Sequence, residues 1–139
     1  KCTSGFSAMA AIGEAYLDFY YNERDYFRII TLASGLGNVK HDTVKEMTPS
    51  QQAYIAAEKR IMALMASCVQ RGIEDKSVDT NVITDPMKTA MYMRGSLHGL
   101  IMLQDAGGSS LFDSEGMDRK TWLIQCKALI SRAMAPHKN

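Results

Sequence analysis

The sequence predicts an all-α protein: a bundle of about five or six helices in a single domain over residues 1–139. Three observations predict it. Apolar residues recur at three- and four-residue spacing over long stretches. Those stretches are bounded by side-chain caps, prolines and glycines at the places helices use them. The β-branched clusters are short and lie in polar context, so no segment reads as a strand. With 46% apolar and 22% charged residues, a chain of this length can bury a core of ordinary globular composition.

Ser4 or Thr3 caps a first helix whose apolar positions include Phe6, Met9, Ile12, Tyr16, Leu17, Phe19 and Tyr20. A bend is expected near Asn22, where Asn22-Glu23-Arg24-Asp25 interrupts the pattern, and Tyr26 to Leu32 follow as an apolar segment running out at Gly35-Leu36-Gly37. The aromatic residues crowded here either pack a core or wall a ligand cavity. Asn38 to Met47 is polar, a loop or short mobile helix placed to form the mouth of a cavity. Thr48-Pro49-Ser50-Gln51 combines an N-cap, a proline at the first helical position and a capping-box glutamine, opening a helix expected to stop at Gly72. Met62 and Met65 on it either fill core or line an adaptable pocket. Ile73 to Thr84 reads as a polar connection.

Asp85 to Gly108 reads as one long helix, capped by Asp85-Pro86 and closed on Gly107-Gly108 in a left-handed conformation. At about 100° per residue, Met87, Ala90, Met91, Leu97 and Ile101 share one side, and Tyr92, Met93, Ser96, Leu100 and Leu103 fall largely on the other. A helix apolar on opposite sides must be covered twice. One side is therefore expected to cover this chain's core, and the other, with its small residues Gly95, Ser96 and Gly99, to meet a second copy. Ser109 to Ser114 is expected as a loop carrying exposed Leu111 and Phe112, before a last helix from Gly116 or Asp118 to Met134, stopped by Pro136. Its stripe of Trp122, Cys126, Leu129 and Ile130 supplies the second half of the dimer seam, with Gly95, Ser96, Gly99 and Leu103 as the first.

The 16 basic and 15 acidic residues leave a net charge of +1, so no broad field draws the chain to DNA or anionic lipid. Cys2, Cys68 and Cys126 are odd in number, widely spaced and without C-x-x-C, which fits free thiols in a reducing compartment. With no leader pattern, no apolar run of about 18 residues and no N-x-[ST] site, a cytoplasmic location without membrane contact is expected. The start at Lys1 rather than Met leads us to expect a piece of a longer polypeptide. His41, His98 and His137 form no metal-ligand spacing, and no nucleophile elbow or phosphate loop is present, so neither cofactor nor catalysis is expected. Arg94, His98 and Asp105 share a line with apolar residues on the long helix, where a charge must be paired or meet a ligand.

Three segments, YLDFYYNERDYFRIITL (Tyr16 to Leu32), AEKRIMALMASCVQRGIEDK (Ala57 to Lys76) and MYMRGSLHGLIML (Met91 to Leu103), resemble the C-terminal regulatory domain of TetR-family transcriptional repressors. The resemblance implies a helical domain that dimerises through its last two long helices as a four-helix bundle and binds a small apolar or amphipathic effector among the preceding helices. Effector binding in such proteins alters the spacing of N-terminal helix-turn-helix heads; no such head is present in this chain, which is expected to be either a fragment of a repressor, with DNA contact only through a missing N-terminal domain, or a relative lacking the head. The expected cavity is walled by Tyr16, Phe19, Tyr20, Phe27, Met62, Met65, Arg94 and His98. The alternative is a helical protein-interaction module with no cavity.

Overall fold

The computed structural model describes residues 2–36, 47–107 and 109–136, with side chains described at all of these except 33–36, 106, 107 and 109–111. The polar stretch from Asn38, apart from Met47, lies outside the described residues, as do His41 and His137. Every described element is helical: α1 (Gly5–Asn22), α2 (Arg24–Leu36), α3 (Pro49–Glu74), α4 (Pro86–Met102) running into a π turn (Leu103–Gly107), α5 (Ser109–Ser114) and α6 (Arg119–Met134). No helix among the described residues is long and apolar enough to cross a membrane.

The caps sit where the sequence places them. Ser4 Oγ accepts from Ser7 N at 3.1 Å, Asp85 Oδ1 from Lys88 N at 3.0 Å and Asp118 Oδ2 from Thr121 N at 2.8 Å. Thr48 and Gln51 form the reciprocal capping box. The bend falls at Glu23, one residue past Asn22.

Gly72 does not stop α3, which continues to Glu74. The start of α1 crosses α3 at this point in backbone contact: a Cβ on Gly5 would lie 2.0 Å from Gly72 N. The reversal comes instead at Lys76, with a φ of 56°. The long helix likewise ends in the π turn rather than on a left-handed Gly107; Gly108 lies outside the described residues.

Two segments expected to be polar or exposed contribute to the interior. The connection after α3 buries Val78 and Ile83, and it ties down the first turn of α1 through Asp75 Oδ2, accepting from Gly5 N at 2.7 Å, and Ser77 Oγ, accepting from Phe6 N at 3.0 Å. Hydrogen bonds from Ser77 and from Gly5 N hold the Asp75 carboxyl below its usual pKa range. Ser109 to Ser114 is a short helix and not a loop, and Phe112 is 2% exposed, edge-on to Trp122 at 4.9 Å between ring centroids. One large aromatic is enough to fold so short a segment onto α6, and one residue has no period to announce it.

α3 packs on both α1 and α4, and two apolar clusters fill the interior. The first joins Leu17 and Tyr20 of α1, Phe27 of α2, Leu97 and Ile101 of α4 and Leu123 of α6. The second joins Met9, Val69, Val78, Ile83 and Met134 at the other end of α1. α4 buries Ala90, Leu97 and Ile101, whereas Met87 and Met91, expected beside them, are exposed. Those two lie at the edge of the stripe, turned about 60° and 100° around the helix from the line of Ala90, Leu97 and Ile101.

Candidate effector site and dimer face

Five of the eight residues expected to wall a cavity meet where α1, α2 and α4 converge. The Phe27 ring, 4% exposed, lies 5.7 Å from Tyr16, 6.1 Å from Phe19, 5.2 Å from Tyr20 and 5.7 Å from His98 between centroids. The edge-on and tilted angles are those the aromatic quadrupole favours. Tyr16 Oη and His98 Nδ1 are 2.8 Å apart. Burial, then the nearby Arg94 charge, lowers the pKa of His98, and burial raises that of Tyr16. A neutral ring with its proton on Nε2 accepts this bond from the Tyr16 hydroxyl. Arg94 stands beside the group, donating to Glu58 Oε1 of α3 at 2.7 Å. Met65 is buried and Met62 half-buried on α3, neither among the residues of the aromatic cluster.

Next to the aromatic group, Asp105 of the π turn accepts from Tyr20 Oη at 2.7 Å and from Arg24 Nη2 at 2.9 Å. The Arg24 guanidinium also lies over the Tyr20 ring, 5.6 Å from its centroid. Burial of the Asp105 carboxyl raises its pKa, but the hydrogen bonds from Tyr20 and Arg24 and the Arg24 charge outweigh it and leave it lowered. This clasp joins the α1–α2 bend to the end of α4. Arg94, His98 and Asp105 are thus each paired within the chain. Glu58 and Arg24 are partners the sequence does not mark.

The two cavities described in the fold lie elsewhere, along the seam of α1 and α6. One of about 50 Å³ is apolar, with Met9, Met93, Ile130 and Met134 in its wall. The other, an open groove of about 430 Å³, is lined by Glu14, Asp18, Tyr21, Lys120 and neighbours. Lys127 borders both and pairs with Glu14. None of the eight expected wall residues lines either one.

Of the residues expected at a dimer seam, Gly95 and Gly99 are exposed with nothing within 4 Å of where a Cβ would stand, Leu103 is 51% exposed and Leu129 63% exposed. Ser96, Trp122, Cys126 and Ile130 are half-buried; Trp122 packs against the first cluster and Ile130 against the second. Burial raises the pKa of the Cys126 thiol, which suits a packing role. Exposed Met91 and Tyr92 extend the wet apolar side of α4, whereas exposed Ile124 of α6 borders the α1–α6 groove. Among the described residues no group of three or more His, Cys, Asp or Glu is placed to hold a metal ion. No family model matches the chain, and neither does any curated protein or solved structure compared with it.

Proposed function

We propose that the chain is the effector-binding and dimerisation domain of a TetR-type transcriptional regulator, whose DNA-binding head lies on a preceding domain. One observation carries the reading: α4 covers the core with Ala90, Leu97 and Ile101 and turns a second apolar side, Met91, Tyr92, Gly95, Gly99 and Leu103, to water. Leaving such a face wet is unfavourable at roughly 25 cal/mol per Å² of apolar surface, and a second copy presenting the same face is the symmetric way to cover it. Leu129 of α6, exposed and on the stripe expected at the seam, is the second helix's contribution to the proposed surface. The aromatic group around Phe27, with its Tyr16–His98 hydrogen bond, supports an effector site among α1, α2 and α4.

Sedimentation velocity over a wide dilution range tests it. The wild-type chain is expected to remain a dimer, and Leu103→Glu with Leu129→Glu to give a folded monomer; a wild-type monomer at every concentration overturns the reading. A protein-interaction module is the second reading, favoured by the exposed Tyr26, Ile29 and Leu32 on α2, and it predicts a monomer that changes size only when a partner protein is added.

A further inference from the structure

The middle of the aromatic group is filled by this chain's own Phe27, and its ring is within about one ring-packing distance of four others. Among its described side chains, the helix that delivers it has little else in the core. Of the α2 side chains described, Phe27 alone is buried, while Tyr26 is 65% and Leu32 66% exposed. A helix docked to complete a core buries a stripe; over its described side chains α2 inserts one ring. A second attachment across the fold is the Arg24–Asp105 bond of the clasp, where Arg24 is 55% exposed on its side chain.

We infer that Phe27 is a built-in plug: it occupies the place of an aromatic ligand, and the Tyr20–Asp105–Arg24 clasp keeps α2 closed over the filled site. The inference rests on the effector-binding reading above and names the ligand class. When α2 swings away, the vacated slot is bordered by Tyr16, Phe19, Tyr20, His98, Leu97 and Ile101. Its walls are aromatic and aliphatic, with two hydrogen-bonding pairs at the edge, Tyr16 Oη with His98 Nδ1 and Tyr20 Oη with Asp105. The ligand is a flat compound of one or two fused rings bearing a hydroxyl: the ring replaces that of Phe27, and the hydroxyl joins the Tyr16–His98 pair. Its apparent affinity is its intrinsic affinity reduced by the fraction of open molecules, so whatever weakens the closed state tightens binding.

Phenol is the probe, titrated into the wild-type chain, Arg24→Ala and Phe27→Ala while the ring signals of His98 are followed by NMR. Affinity is expected to rise from wild type to Arg24→Ala by roughly two- to fivefold, the effect of one exposed ion pair, and by more than tenfold in Phe27→Ala. Amide exchange over 24–36 rises in Arg24→Ala while that over 49–74 does not. Should Phe27→Ala fail to fold, the comparison of wild type with Arg24→Ala decides. Equal phenol affinity in those two, phenol shifting the α1–α6 seam in place of His98, or no binding at all overturns the plug. A dimer that fails to bind phenol leaves the dimerisation reading standing, and a monomer whose phenol affinity follows this order removes that reading but keeps the plug.

Discussion

His98 sits where a protonation change has a structural consequence, because its Nδ1 is bonded to Tyr16 Oη and its surroundings disfavour charge. With the folded pKa below the ordinary imidazole value of about 6.5, the unfolded chain takes up the proton first as pH falls. The contribution of this residue is whole above that value and declines as pH drops toward the lower folded one. Between about pH 7.5 and about pH 5.5 the wild-type melting temperature is expected to fall, and that of His98→Gln, which keeps an acceptor without titrating, to fall less. Equal slopes in the two chains would remove the role. Spacing alone puts Arg94, His98 and Asp105 on one line and requires each to have a partner. It does not identify the partners, because Glu58, Tyr16 and Tyr20 stand 36, 82 and 85 residues away on other helices, positions that only the tertiary packing brings near.

The helices are legible from their ends: Ser4, Thr48-Pro49, Asp85-Pro86 and Asp118 cap the elements the sequence marks, since a cap is a local bond between residues three apart. Gly72 is misleading, because in sequence a glycine that ends a helix cannot be told from one that lets another backbone approach. Its partner Gly5 allows a direct test. A methyl there would meet the Gly72 backbone at 2.0 and 2.4 Å, with no flexible side chain to yield. Gly5→Ala is expected to destabilise the chain by about 2 kcal/mol or more in urea unfolding, overpacking against backbone being at the costly end of such changes. An unchanged midpoint would mean that the crossing is looser than the structure has it. Val78, Ile83 and Phe112 are illegible for the opposite reason: each stands alone or beside one other apolar residue in a polar run, placed in the core by where its segment is tied and not by any period.

At the scale of the molecule, the doubly apolar α4 is the strongest inference from sequence, but the structure divides its sides differently: Met87 and Met91 of the expected core side are exposed, while Met93 and Leu100 of the expected outward side pack against the clusters. Two substitutions separate a monomer from a dimer paired through α4. Gly95 and Gly99 have open space where a methyl would stand in the single chain, so alanine at either should stabilise a monomer by about 0.5–1 kcal/mol through helix propensity. In a dimer whose helices approach at those glycines, the same alanines should weaken association, read as a higher dissociation constant by sedimentation equilibrium. A raised melting temperature with unchanged association would place the dimer contact elsewhere. Finally, both core clusters take residues from α1 and from α6, with Leu123 completing one and Met134 the other, while Met134 O also accepts from Asp79 N at 2.9 Å. Two elements far apart in the chain therefore close the fold together, so its topology demands long-range loop closure. During synthesis neither core can be completed before α6 has emerged, and until then the nascent helices depend on one another, or on chaperones, to shield their apolar sides.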